Sequence, residues 1–414
     1  MRQVGAILGG LVIAIVLAAC GSSGKGPVTI NWYVFPEPSG SFAKAAANCS
    51  ADSGGKYKIA INFLSNASDQ QRQTLVQRLA AGDSSIDILA MDVDWTAEFA
   101  SAGWIRPWTG ANAAAASQGV LAGPLKTATY NGKLWAAPIN SNTELLWYRK
   151  DLVPNPPKTW TQMIDDAIQL AKEGKPHYIE EQGAKYEGLT VWFNSLVNSA
   201  GGGIVGAGNK VIVGPSTKVA AEIMKRLATT AAADPGLNTS QEGPGNNVFD
   251  AGQAAFEINY PFVWSGTQAT APSIYKEMGY APFPAVVPGI TPKVSIGGYN
   301  LGVSSYSKHP QLAFDAVKCL IAPTNQIRDA VKGGLAPVLA SIYNEPSFEK
   351  AYPFHALIKA QLEDYGIRPQ TPEYQDVTLA IQDTLQPASA IDPSNIVSKL
   401  RDEIKTALKG DSLL

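Results

Sequence analysis

The first third of the chain alternates strand and helix patterns, and this alternation restricts the possible folds more than any other feature. Runs rich in β-branched, aromatic or apolar residues predict strands at 28–34, 57–64 and 86–91. Residues 69–81 have helical spacing of apolar residues, with Asp69 as a candidate N-cap. Such alternation is typical of mostly parallel sheets with helices on both faces. The predicted fold class is therefore α/β.

The later patterns suggest that the chain passes between two lobes several times. We predict helices at 159–172, 189–199, 216–232 and 393–408, strands at 144–148, 254–259 and 302–304, an Asn-Gly hairpin at 130–135 and a turn at 247–252. Crossings are predicted at 139–144, near 280 and near 335–337. The first lobe would then comprise 28–139 plus 281–335, and the second 140–280 plus 336–414, with a hinge between them.

The N-terminus predicts export. Residues 5–19 are apolar or small, too few to span a bilayer of about 30 Å, and they match the core of a signal peptide covering 1–19. The ending Leu17-Ala18-Ala19-Cys20 is similar to the lipobox of bacterial lipoproteins, in which the cysteine is lipidated. Residues 20–27 are small and polar and would form a tether. The alternative is a plain secretory signal with a chance cysteine, which also implies export.

Composition narrows the class of protein. With 45% hydrophobic and 16% charged residues the chain has ample core, and a net charge of −2 does not favour a nucleic-acid partner. Cys49 and Cys319 would lie in an oxidising exterior, where one disulfide is expected. Two buried free thiols are the alternative.

Motifs for cofactors, metals and catalysis are weak. Residues 201–206 fit G-x-G-x-x-G, but they follow a predicted helix and open none, so a dinucleotide site is not expected. The three histidines are dispersed without metal-ligand spacing, and no G-x-S-x-G elbow occurs. We therefore expect no cofactor, no metal site and no enzyme activity.

Aromatic and polar residues in predicted loops are more informative, because a sugar site needs flat rings for the C–H face and carboxylates, amides or Arg for the hydroxyls. Segments with this character are 92–95, 257–260, Trp264 and Arg368. Asp92 directly follows the third strand, where ligands bind in such sheets. Taken singly, a loop Trp is more often a packing residue and an Asp more often an N-cap.

Longer stretches resemble one family. These are 87–99, 142–149, 188–194, 256–262, 296–301 and 368–372, in the same order as in the relatives. The chain resembles the extracellular solute-binding proteins of carbohydrate ABC importers, and most closely their trehalose-binding lipoproteins from actinobacteria. The likeness runs from the lipobox almost to the C-terminus.

The resemblance implies a two-lobed periplasmic-binding-protein-like fold of type II, with no enzyme activity. It further implies a disulfide between Cys49 and Cys319. The expected partners are a disaccharide, with trehalose favoured, ABC permease subunits with their ATPase, and the membrane through the lipid on Cys20. No nucleic-acid partner is implied, and the protein would be a monomer.

The resemblance also implies roles for individual residues. Four side chains would hydrogen-bond sugar hydroxyls, the Gly297-Gly298 backbone would approach the ligand and Tyr260 would pack on a ring. The hydrogen-bonding side chains are Asp92, Asn142, Glu257 and Arg368. Trp264 and Glu37 are further candidates. The chain departs from the family in having Tyr260 where Trp is usual and a shorter 264–280 stretch.

Two other functions remain open at this point. Asp92 and Glu257 could form a glycosidase pair, which requires carboxylates about 5 to 9.5 Å apart. Alternatively, the same fold could bind another oligosaccharide, a peptide, a polyamine or a glycerophosphodiester.

Overall fold

The computed structural model describes residues 26–410. Its first section contains β1 (Val28–Val34), α1 (Ser41–Asp52), β2 (Tyr57–Phe63), α2 (Ser68–Ala80), β3 (Ile88–Asp92), α3 (Thr96–Ser101), α4 (Gly110–Ser117), α5 (Ala122–Thr127), β4 (Thr129–Tyr130), β5 (Lys133–Leu134) and β6 (Ala137–Asn142). The middle section contains β7 (Leu145–Arg149), α6 (Trp160–Lys172), β8 (Tyr178–Glu180), α7 (Glu187–Ser199), β9 (Val205–Gly206), β10 (Lys210–Val211), α8 (Pro215–Ala228), α9 (Glu242–Asp250), β11 (Ala254–Asn259), α10 (Phe262–Thr270), α11 (Pro272–Glu277) and β12 (Met278–Ala281). The last section contains β13 (Gly297–Val303), α12 (Pro310–Leu320), α13 (Pro323–Gly333), α14 (Pro346–Ala351), α15 (His355–Glu363), α16 (Tyr374–Leu385) and α17 (Ile396–Ala407).

The first lobe is built on a five-stranded sheet of order β2-β1-β3-β13-β6. β1 pairs in parallel with β2 and β3, whereas β13 is antiparallel to both of its neighbours. Both faces are covered, because alternate residues of β1 such as Trp32 and Tyr33 enter different apolar clusters. The predicted α/β class is confirmed here, with four of the five strands running in one direction.

The second lobe contains a four-stranded sheet of order β12-β7-β11-β8. Only β11 and β8 pair in parallel, because β7 is antiparallel to both β11 and β12. The two-lobed fold is confirmed, but its sheets are mixed rather than mostly parallel. β7 and β13 run opposite to the strands beside them. The chain reaches each of these strands directly from the other lobe and then runs away from the interface, without a crossover helix that would make the strand parallel to its neighbours.

The sheets also show where the chain passes between the lobes. β6 remains in the first sheet up to Asn142, and β7 starts the second sheet at Leu145. On the return, Phe283 and Val294 still pack in the core of the second lobe, and β13 begins only at Gly297. Residues 140–142 thus lie with the first sheet rather than the second lobe, and residues 283–294 lie with the second lobe rather than the first. Both predicted boundaries come too early in the chain, because strand pairing and core packing continue past them.

Several local predictions can be compared directly. The hairpin at 130–135 is confirmed, with Asn131 and Gly132 at positive φ. The predicted turn at 247–252 is wrong, because α9 continues to Asp250. Asp69 lies in the first turn of α2 rather than at its N-cap, since that helix begins at Ser68.

Cys49 of α1 and Cys319 of α12 form the expected disulfide. Cys20, the signal peptide at 1–19 and most of the tether at 20–27 lie outside the described residues. Within residues 26–410, no helix combines the length and apolar character needed to cross a membrane.

Candidate functional site

A cavity of about 450 Å³ lies between the lobes. The first lobe contributes the carboxyl ends of β3 and β6 and the start of β13, so Asp92, Asn142 and Gly297 meet at one sheet edge. The second lobe contributes the starts of α7 and α9, the turn before α10 and the segment carrying Arg368. The lining residues are Asn66, Ala67, Ser68, Asp69, Gln70, Asp92, Asn142, Tyr186, Glu187, Gly188, Val191, Gln241, Glu242, Tyr260, Phe262, Gly297, Gly298, Tyr299 and Arg368.

This lining combines aromatic rings with hydrogen-bonding groups from both lobes. Its rings are Tyr186, Tyr260, Phe262 and Tyr299, and its carboxylates are Asp69, Asp92, Glu187 and Glu242. Amides come from Asn66, Gln70, Asn142 and Gln241. Such a surface can hydrogen-bond many hydroxyls and pack against an apolar ring face, and its volume falls in the usual range for small-molecule sites.

Arg368 connects the lobes at one end of the cavity. Its guanidinium contacts three carboxylates, Asp92 at 2.9 Å, Asp94 at 3.0 Å and Glu187 at 2.7 Å. Asp92 and Asp94 belong to the first lobe, whereas Glu187 starts α7 in the second. Because three carboxylates surround one cation, the positive charge is already compensated before any ligand enters.

Burial changes the protonation of nearby acids. Burial raises the pKa of Glu187, although Arg368 and hydrogen bonds from Tyr374 and Thr378 oppose the rise. Glu144, at the lobe crossing, is fully buried and accepts hydrogen bonds from Gln182 and Ser195, and its burial raises its pKa to about 8. These acids favour their neutral forms more than exposed carboxyls do.

Five of the eight predicted ligand-binding residues line this cavity: Asp92, Asn142, Tyr260, Gly298 and Arg368. Gly298 has φ 111°, and a Cβ there would lie 2.3 Å from the carbonyl oxygen of Asn140. The close approach that glycine permits is therefore to the neighbouring strand β6. The binding roles of these five residues remain predictions.

The other three predicted residues do not line the cavity. Glu257 is buried in β11, where it accepts a hydrogen bond from Asn259. Trp264 packs among core rings, with Tyr275 at 4.7 Å and Phe354 at 5.5 Å between centroids. Glu37 accepts hydrogen bonds from the backbone N–H groups of Ser39 and Ser41 at the start of α1. Their local contacts explain these side chains without a ligand.

The prediction missed several lining residues, among them Tyr186, Glu187, Glu242 and Tyr299. Tyr186 and Glu187 place an aromatic ring beside a carboxylate at a loop-helix junction, the same signal that pointed to 257–260. Glu242 had no such signal, since it begins α9, which was not predicted.

Comparisons with known proteins agree with this architecture. The profile described as bacterial extracellular solute-binding protein matches residues 43–327. A probable ABC transporter-binding protein of Deinococcus radiodurans is 30% identical over 73% of this chain and 74% of its own. Among solved structures, maltose-bound MalE3 of T. maritima has a TM-score of 0.83 with 26% identity, covering 92% of this chain and 100% of that one. The GacH receptor of Streptomyces glaucescens, 21% identical with a TM-score of 0.79 over 92% and 99% of the two chains, has the same fold.

These relatives are binding proteins, so the prediction that the chain is not an enzyme is confirmed. The glycosidase alternative required Asp92 and Glu257 to face the same ligand. Asp92 lines the cavity, but Glu257 does not reach it. The chain belongs to the bacterial extracellular solute-binding protein family.

Proposed function

We propose that this protein is the lipid-anchored sugar-binding subunit of an ABC importer, which closes its lobes around a disaccharide and presents it to the permease and its ATPase. The observation that carries the proposal is the interlobe cavity, in which rings and hydrogen-bonding groups from both lobes surround about 450 Å³. Burying hydroxyls against such groups gives specificity, because a ligand that lacks one hydroxyl leaves a buried group unpaired.

Two relatives support the sugar assignment. The T. maritima structure was solved with maltose, and a protein of Streptomyces coelicolor, 26% identical over 60% of this chain and 58% of its own, is a diacetylchitobiose binding protein. The likeness to actinobacterial trehalose-binding lipoproteins makes trehalose the favoured ligand.

Charge favours a neutral ligand over an anion. Among the lining residues, the carboxylates of Asp69, Asp92, Glu187 and Glu242 outnumber the single guanidinium of Arg368, which is already paired. A glycerophosphodiester would therefore find no free cation, since Arg368 is already paired with Asp92, Asp94 and Glu187. The same excess of carboxylates favours a second candidate, a ligand carrying amines, such as a polyamine or an aminated sugar.

Calorimetry against a panel of ligands tests the proposal. We expect binding of trehalose or another neutral disaccharide, and no binding of a glycerophosphodiester. Spermidine binding without sugar binding would favour the amine-binding candidate. An absence of heat with every sugar would refute the sugar proposal.

A matched pair of substitutions then tests the site. Glu242→Gln alters a carboxylate that lines the cavity, whereas Glu257→Gln alters a buried carboxylate of the same lobe outside it. We expect Glu242→Gln to weaken binding about tenfold or more, since hydrogen bonds to charged groups contribute about 1.5–3 kcal/mol, and Glu257→Gln to leave affinity unchanged. Equal effects of the two substitutions would contradict this placement of the site.

A further inference from the structure

The side chain of Asp94 contacts Arg368, which lines the cavity, but Asp94 does not line the cavity itself. Its carboxylate Oδ2 lies 3.0 Å from Arg368 Nη1, and it is absent from the cavity lining, to which Asp92 and Arg368 both belong. Its side chain is 2% exposed, and its Oδ1 has no hydrogen-bond partner among the described residues. Burying a carboxylate that has one hydrogen-bonded partner carries a desolvation cost.

The two partners belong to different lobes. Asp94 follows β3, where the N–H of the preceding Val93 donates to the carbonyl of Gly298 in the first sheet. Arg368 follows Ile367, whose carbonyl accepts a hydrogen bond from Asn194 of α7 in the second lobe. The contact between Asp94 and Arg368 therefore joins the two lobes.

When the lobes open, water can reach the side chains of Asp94 and Arg368, which would not happen if both lay in a single rigid core. In this structure Asp94 and Arg368 are almost fully shielded from water, and loss of Asp94 would leave Arg368 with two carboxylates, Asp92 and Glu187, of which only Asp92 belongs to the first lobe. If the lobes separate, water can solvate both groups. Because Asp94 pairs with a residue anchored in the other lobe, we expect its loss to shift the opening equilibrium.

We infer that Asp94 is a positioning residue for ligand capture: it holds the Arg368 guanidinium across the interface, so that closing the lobes and shaping the cavity are one event. This inference rests on the proposed function, since it assumes that closure accompanies ligand binding. When the closed form becomes less populated, the apparent affinity falls by the same factor. Asp94 thus raises affinity without contacting the ligand.

The first test compares Asp94→Ala with Asp165→Ala, which removes the carboxylate of an exposed ion pair with Arg226 in the second lobe. We expect Asp94→Ala to weaken binding of the best disaccharide at least about tenfold, mainly through faster dissociation, as for other buried charge pairs that lose one partner. Asp165→Ala should match the wild type. Wild-type affinity and dissociation rate in Asp94→Ala would overturn the inference.

The second test measures closure without any ligand. Spin labels at Lys44→Cys in α1 and Lys218→Cys in α8 occupy exposed positions on different lobes, and their distance distribution reports the opening. We expect Asp94→Ala to shift this distribution toward longer distances, but to have no further effect in an Arg368→Met background. An unchanged distribution, or an equal shift in the Arg368→Met background, would show that Asp94 does not act through Arg368.

These two measurements separate the inference from the function on which it rests. If the wild type binds no sugar, the proposed function fails, while the interlobe distances still test the role of Asp94. If Asp94→Ala lowers the unfolding temperature, Asp94→Asn, which preserves the side-chain volume, replaces it in both tests with the same expected and contrary results.

Discussion

Three buried glutamates of the second lobe have unusual protonation. Burial raises the pKa of Glu180 to about 9, and that of Glu144 and Glu257 to about 8. Glu180 is the extreme case, since neither carboxyl oxygen has a hydrogen-bond partner among the described residues. At neutral pH these three side chains therefore bind more protons in the folded protein than in the unfolded chain.

This difference predicts that the contribution of these glutamates to stability falls as the pH rises. Below about pH 4.5, the ordinary pKa of glutamate, Glu180 is protonated in both states. Between that value and about pH 9 the unfolded chain loses a proton that the folded protein retains, so the stabilisation is progressively lost. Glu180→Gln should raise the unfolding temperature at pH 8 and reduce the difference between pH 6 and pH 8.

Thermal unfolding at the two pH values measures this effect. Glu222→Gln, at an exposed position of α8, is the control and should behave as the wild type. A pH dependence that Glu180→Gln leaves intact would contradict the assignment to this carboxyl.

Substitution of Gly298 tests how closely β13 and β6 approach each other beside the cavity. Gly298→Ala should destabilise the protein more than Gly289→Ala does. Both glycines have positive φ, which costs an alanine about 1–2 kcal/mol, but only at Gly298 would the Cβ also meet backbone, 2.3 Å from the Asn140 carbonyl oxygen. At Gly289 nothing lies within 4 Å. Denaturant unfolding of both variants measures the difference, and equal losses would argue against the close contact.

At the scale of elements, the disulfide joins α1 to α12 on one face of the first sheet. The bridged cysteines are 270 residues apart in the chain, and all of the middle section lies between them. A bridge of such span restricts the unfolded chain strongly, because loop-closure entropy grows with the length of the closed loop. Both helices nevertheless belong to the first lobe, so the bridge does not restrain the hinge.

Replacing both cysteines, as Cys49→Ser with Cys319→Ser, should therefore lower the free energy of unfolding without changing ligand affinity. The expected loss is about 2–5 kcal/mol. Chemical denaturation and calorimetry of the same preparation provide the two readouts. A fall in affinity of the folded variant would indicate that the bridge shapes the cavity after all.

At the scale of the whole molecule, the tether and the two lobes have separate tasks. The proposed lipid on Cys20 precedes β1 by only a short polar segment, and it would keep the binding protein near its permease. Confinement raises the effective concentration for docking without adding any contact to the ligand.

Cys20→Ser should accordingly leave sugar affinity unchanged in the soluble protein, while membrane retention and sugar uptake by cells both fall. Cell fractionation and transport of labelled sugar measure these effects. A variant that stays in the membrane fraction would contradict lipidation at Cys20, and a weaker affinity would contradict the separation of tasks.

The sequence by itself determined the strand-helix alternation, the exterior setting and the placement of Asp92 at a strand end, because these follow from local patterns and from the rule that ligands bind at the carboxyl ends of strands, whereas Asn142 is proposed from the family resemblance alone. It could not distinguish Glu242 from Glu257. Both are glutamates within one short stretch, and only packing puts the first at the cavity and the second inside β11. The pairing of Arg368 with Asp92 and Asp94 also depended on tertiary structure, since about 275 residues separate the partners. No local pattern encodes a contact between residues so far apart in the chain.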